Sequence, residues 1–178
     1  MPTATPTSTH SGDERANGPA DQDLYDARYF DAELHRDHWF KNNAAKRARR
    51  WDAVRTMLDL KQTDRVLEIG CAAGEHALRI AAEARAVVGI DLAPAAIDRA
   101  RRRAAERAID NVEFDTADAA DLGRWPGASF DKVAAIDFVE HVDDATLARI
   151  LAEVHRVLVP GGRLAIYTPC ATHYVEWL

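Results

Sequence analysis

The stretch VLEIGCAAGEHA, residues 66–77, sets a run of apolar residues against a turn of small ones and then against what reads as the start of a helix. Arg65–Ile69 has the length and apolar content of a strand buried on both faces. In a doubly wound sheet the turn after the first strand approaches a ligand most closely. Its small positions here are Gly70, Ala72 and Gly74, with Glu68 directly ahead of them.

Outward from this turn, helix and strand signals alternate. A helix is expected over 75–84, a strand over 86–90 and an Arg-rich helix over 95–108 opened by Pro94. Strands follow at 112–114 and 132–138, then a helix at 144–158, the stop signal PGG at 160–162 and a last strand at 163–168. Such alternation predicts an α/β fold with a doubly wound, mostly parallel sheet and helices on both faces. Upstream, Ala48, Trp51, Val54 and Leu58 recur at steps of three and four, the period of an amphipathic helix, with Asn42 or Asn43 as its cap. Residues 24–40 carry aromatics at near-helical spacing. Residues 1–23 are rich in Thr, Pro, Ser, Gly and Asp with little to bury, so a disordered tail is expected there and one domain over 24–178.

The bulk properties narrow the partners. A formal charge of −6 with no long basic tract argues against a nucleic-acid or anionic-membrane binder. The run Arg101–Arg102–Arg103 lies inside a helix and reads as a solvated face. Cys71 and Cys170 make no disulfide framework and no Cys-x-x-Cys pair, which fits a reducing cytoplasm. No apolar run reaches the roughly 20 residues that span a bilayer.

The turn does not have the Gly-x-Gly-x-x-Gly spacing that lays a pyrophosphate on a helix N-terminus. A glutamate ahead of it is also poorly placed for two phosphates. Glu68 suits a cationic group, such as the ammonium of an amino acid. Asp91, twenty-one residues after Gly70 at the end of the second strand, can accept hydrogen bonds from both hydroxyls of a ribose. Amino acid at the first turn and ribose at the second strand point to S-adenosyl-L-methionine.

With these residues in view, the chain resembles the class I S-adenosylmethionine-dependent methyltransferases, in their Rossmann-like, ubiquinone-biosynthesis O-methyltransferase-like branch. The resemblance runs from about Trp51 to Pro169 and rests on VLEIGCAAG, VVGIDLAPAAIDRAR, TADAADL, FDKVAAIDFVEHV and LAEVHRVLVPGGRLAIYTP in that order. It implies that Glu68, Gly70, Ala72 and Gly74 surround the methionine part of the cofactor and that Asp91 holds the ribose with Leu92 beside the adenine. Asp118 and Ala119 would meet the adenine edge, Ile136 and Asp137 would end strand four against the sulfonium, and Arg50 would lie near the cofactor carboxylate. Ala72 departs from the family's usual glycine, and its methyl restricts positive φ.

Methyl transfer is an in-line displacement governed by positioning and desolvation; an oxygen acceptor must also lose a proton. Glu140 and His141 are the expected catalytic pair, sharing a helical face with Asp137. These positions resemble a Glu-x-x-Glu-His pattern associated with a divalent cation, but Asp137 has a shorter arm than the glutamate there, and no metal ligand is assigned. His35 and His38 read as a solvated helix face. Family members close with two further strands beside strand five. The residues after that strand are too few to build them, so the expectation is a truncated form whose open strand-five edge is available for self-association. The reading is therefore a methyltransferase acting on a small-molecule acceptor, at oxygen. Its alternatives are a non-catalytic or truncated cofactor-binding module and an NAD-dependent dehydrogenase.

Overall fold

The computed structural model describes residues 44–168, with side chains from residue 48 onward. The expected tail over 1–23, the helices over 24–40 with His35 and His38, the Asn42 or Asn43 cap and residues 169–178 lie outside the described residues. Helix α1, Ala44–Leu58, precedes β1, Arg65–Ile69. Then come α2, Glu75–Ile80; β2, Ala86–Asp91; α3, Pro94–Glu106; and β3, Val112–Thr116. A long loop leads to β4, Phe130–Ile136, a single 3-10 turn at Val139–His141, α4, Asp144–Val157, and β5, Leu158–Tyr167.

The five strands form one parallel sheet in the order β3-β2-β1-β4-β5. The chain builds outward from β1 through β2 to β3, then crosses back and lays β4 on the other side of β1. Strand order thus reverses between β1 and β4, and the carboxyl ends of these two strands flank the crevice where such sheets bind ligands. Alternation along each strand feeds two apolar layers. Val66, Val87 and Ala134 pack under α1, α2 and α3, while Leu67, Val88 and Val133 pack against Ile150, Val154 and Val157 of α4. Burial on both faces explains why the central strands read as continuous apolar runs.

Several boundaries differ from the sequence reading. Helix α2 stops at Ile80 instead of running to residue 84, because the Asn111 side-chain amide donates to the carbonyls of Ala81 and Ala84, at 2.8 and 3.1 Å, and the chain there closes in tighter i to i+3 bonds. The Pro160–Gly162 segment does not stop the chain before a strand. It lies within β5 as an irregularity opposite Phe130 and Lys132, with Gly161 at φ 79°. Strand β4 ends at Ile136, since Asp137 turns into the left-handed region at φ 51°. Helix α4 begins as expected, capped by Asp143, which accepts from the Thr146 N–H at 3.0 Å and its hydroxyl at 2.7 Å.

The Arg101–Arg103 run is not simply solvated. Arg101 donates twice to the Phe114 carbonyl of β3, at 3.1 and 2.8 Å, and Arg103 donates to the Ala73 carbonyl at 2.9 Å. Phe114 in turn packs where small residues leave room. A Cβ at Gly89 would stand 2.7 Å from its ring and one at Gly74 also 2.7 Å. Gly89→Ala should therefore destabilise the fold by about 1–3 kcal/mol through overpacking. Chemical denaturation of Gly89→Ala, alone and combined with Phe114→Leu, checks this, with the second change expected to recover most of the loss.

Candidate functional site

The turn after β1 is held by backbone bonds, by one carboxylate and by Arg103 on the Ala73 carbonyl. The Cys71 N–H donates to Ile90 O, and the Gly74 N–H to Cys71 O, both at 2.9 Å. Gly70, Ala72 and Gly74 take φ of 67°, 46° and 77°. Glycine reaches that region freely, whereas alanine pays roughly 1–2 kcal/mol there. The Asp91 carboxylate meets this turn: Oδ2 accepts from the Ala72 N–H and Oδ1 from the Ala93 N–H, each at 2.9 Å. Asp91 thus carries a structural duty at the expected ribose position, and each oxygen keeps a second lone pair for a ligand hydroxyl. Burial raises its pKa, opposed by these backbone donors.

Glu68 shares a face of β1 with Val66 and lies under the first turn of α2, where the Ala77 backbone N–H reaches it. It is 1 % exposed, and its Oε2 has no partner. Burial drives its pKa up to about 8, with the Asp91 and Glu75 charges adding to the shift and the Ala77 donor and Arg50 opposing it. The ligand-free protein therefore carries Glu68 largely as the neutral acid at pH 7.

Arg50 is placed from the other side. In α1, Val54 and Leu58 are fully buried, and Trp51 stacks on His76 of α2 with ring centroids 6.4 Å apart. That packing swings the neighbouring Arg50 over the strand ends. Its guanidinium forms an ion pair with Asp137 and lies 5.2 Å above the Tyr167 ring. Arg50 Nε and Asp137 Oδ1 stay buried without partners. Burial lowers the Arg50 pKa, countered by Tyr167, Glu75 and Glu140. His76 Nδ1 is likewise unpartnered, and burial beside Arg50 pulls its pKa down to about 4, so it is neutral at pH 7.

The remaining expected residues divide. Asp118 is exposed and its Oδ1 accepts from the Ala120 N–H at 2.8 Å, while Leu92 is half-buried at the end of β2. Ala119 and Ile136 are buried in the two apolar layers, so their side chains serve packing. Asp137, Glu140 and His141 do not share a helical face: Asp137 is in the left-handed region and Val139–His141 is one 3-10 turn. Asp137 turns to Arg50, Glu140 Oε2 accepts from the Thr168 hydroxyl at 2.8 Å, and His141 is exposed. Among the described residues, no three His, Cys, Asp or Glu side chains are grouped to hold a metal ion. A cavity of about 490 Å³ runs along the outer edge of β3 beside Arg101 and Trp125, and none of the expected site residues lines it. Sequence reasoning missed Tyr167, His76 and Phe138, whose ring covers Gly70. All three lie inside the quoted stretches, Phe138 within IDFVEHV, His76 within VLEIGCAAGEHA and Tyr167 within RLAIYT, but nothing local gave them a role.

Residues 66–162 match the family model described as a methyltransferase domain. The chain belongs to the class I S-adenosylmethionine-dependent methyltransferases. It is 38 % identical over 138 residues to the 27-O-demethylrifamycin SV methyltransferase of Amycolatopsis mediterranei, covering 75 % of this chain and 50 % of that protein. Against a ubiquinone biosynthesis O-methyltransferase of Xanthomonas oryzae pv. oryzae the identity is 35 % over 119 residues, covering 67 % and 48 %. Among solved structures, an S-adenosylmethionine dependent methyltransferase from Mesorhizobium loti superposes with a TM-score of 0.58 at 29 % identity, covering 66 % of this chain and 52 % of that one. The chain spans about half the length of these curated relatives. Family membership sets aside the dehydrogenase alternative.

The buried acid makes a pH-dependent signature. Between pH 4.5, the ordinary glutamate value, and about 8, the folded protein keeps a proton that the unfolded chain loses. Stability attributable to Glu68 is therefore present below the unfolded value and falls as pH rises through this window. Glu68→Gln does not titrate and should gain on the native protein from pH 5 to pH 8, by at most roughly 4 kcal/mol. Urea unfolding at both pH values tests this, and a constant difference would contradict it.

Proposed function

We propose that this chain binds S-adenosylmethionine at the carboxyl ends of β1, β2 and β4 and transfers its methyl group to a small-molecule acceptor, at oxygen. The observation that carries the reading is the set of unpartnered buried atoms at the strand-order reversal: Arg50 Nε as a donor toward a carboxylate, and Glu68 Oε2 as an acceptor toward an ammonium. Together they complement an amino acid, and the free lone pairs of Asp91 complement a ribose. The similarity to a 27-O-demethylrifamycin SV methyltransferase and to a ubiquinone biosynthesis O-methyltransferase supports the oxygen assignment.

Bound there, the cofactor supplies a methyl group on a sulfonium. The protein's part is binding and positioning. Arg50, steadied by Asp137 and Tyr167, takes the carboxylate. Glu68 gives up its proton and takes the ammonium. Gly70, Ala72 and Gly74 allow close backbone approach, and Leu92, Asp118 and the Ala119 backbone frame the adenine, with the Ile136 and Asp137 backbone closing the methyl side. Glu140 and His141, at the mouth of β4, accept the proton that the acceptor hydroxyl loses. The formal charge of −6 supports small or neutral partners and no nucleic acid. The described residues contain no helix long and apolar enough to cross a membrane, and a cytoplasmic setting is part of the reading. Self-association through the outer edge of β5 is supported by that edge's lack of a partner strand among the described residues and by Ile166, 38 % exposed.

Calorimetric titration with S-adenosylhomocysteine should show binding, with NAD giving none. At pH 7 it should release about one proton per ligand, because the ligand's ammonium favours ionised Glu68; Glu68→Gln should abolish that release. Absence of S-adenosylhomocysteine binding to folded protein would overturn the reading. Asp91→Ala should weaken binding by about 1.5–3 kcal/mol through loss of charge-assisted hydrogen bonds, and an unchanged affinity would remove the ribose assignment. With an acceptor in hand, Glu140→Gln combined with His141→Ala should abolish turnover and spare S-adenosylhomocysteine binding. Equal loss of both would assign these residues to structure.

A further inference from the structure

The Ala72–Ala73 segment is gripped at both ends. At one, the Ala72 N–H is held by Asp91 Oδ2 at 2.9 Å; at the other, the Ala73 carbonyl accepts from Arg103 Nη1, also at 2.9 Å. Between them, Ala72 stands at φ 46°, a conformation an alanine does not hold by preference. Such a residue persists only where its surroundings over-determine it. Helix α3 approaches closely enough to do so because Ala100 is small, its Cβ standing 3.0 Å from where a Cβ on Gly74 would be. Arg103, three residues further on and leaning toward the helix N-terminus as helical side chains do, reaches back to the turn. Its neighbour Arg102 is exposed.

We propose that Arg103 is a positioning residue for the cofactor turn: it holds the Ala73 carbonyl away from the crevice and keeps Ala72 in the conformation that the adenosyl-amino acid ligand requires. The part concerning affinity rests on the cofactor reading above; the clamp on the turn does not. A charged donor on a carbonyl is among the stronger neutral-acceptor bonds, so its loss is felt in the turn's ordering. The clamp also explains how the chain tolerates alanine at 72. With glycine there the conformation needs no enforcement, so the two positions are coupled.

The test has a ligand-free arm and a ligand arm. In Arg103→Met, which keeps the aliphatic stem, amide hydrogen exchange at Ala72 and Gly74 should accelerate, and S-adenosylhomocysteine affinity should fall about tenfold. Arg103→Lys should recover most of both, and Arg102→Met should change neither. In the Ala72→Gly background the Arg103→Met loss of affinity should shrink to a small fraction of its size, the non-additivity of coupled sites. Arg103→Gln, too short to reach Ala73, reads the same if the methionine variant does not fold. Unchanged exchange at the turn in Arg103→Met overturns the clamp. Faster exchange with unchanged affinity, or an additive cycle with Ala72→Gly, overturns its role in positioning. If the native chain binds no S-adenosylhomocysteine, the cofactor reading fails, and exchange still decides the clamp.

Discussion

The bond between the Asp91 carboxylate and the Ala72 amide ties the end of β2 to the turn that leaves β1, and the rest of the site is built around it. With the Cys71 N–H on Ile90 O, it carries the attachment to β2 past the end of β1. A turn with three residues at positive φ would otherwise be free to relax. Here Asp91 holds it from β2, Arg103 from α3, and the Phe114 ring packs beneath Gly74. The carboxylate that suits a ribose is thus also a structural member, and ligand recognition and turn geometry share one group.

A second constraint comes from ionisable groups placed where apolar contact would be more stable. Glu68 is sealed under α2, Arg50 and Asp137 pair with buried atoms left over, and His76 is neutral against Trp51. Each unmatched atom costs stability in a low-dielectric setting. Their concentration at the one place where strand order reverses, with sheet layers elsewhere packed mainly by aliphatic and aromatic side chains, is the pattern expected where stability is given up for recognition. A zwitterionic ligand would satisfy two of them together, donating to Glu68 and accepting from Arg50.

Much of the fold was legible because parallel strands buried on both faces announce themselves as apolar runs. Arg65–Ile69 and the strand beginning at Ala86 were readable in this way, and the start of α4 at Asp144 was readable from its helical period, though not its Asp143 cap. Misread boundaries have tertiary causes: Asn111, distant in sequence, takes the carbonyls that would extend α2, and the pairing of Leu158 and Arg163 with β4 on either side encloses Pro160–Gly162 within β5. The three-and-four spacing of Asp137, Glu140 and His141 misled because a left-handed residue and a 3-10 turn stand where a helix was assumed.

By itself, the sequence determined the alternation of strands and helices and the placing of Glu68, the small-residue turn and Asp91 at the ends of β1 and β2, since local pattern and short spacing along one βαβ unit decide these. Only the tertiary structure decided that Arg50 meets Asp137 and Tyr167, and that Arg103 belongs to the turn and not to solvent. Those contacts join segments 30 to 117 residues apart. Whether an arginine in a basic run faces water or a carbonyl depends on which element packs beside it, and no local pattern in the chain records that.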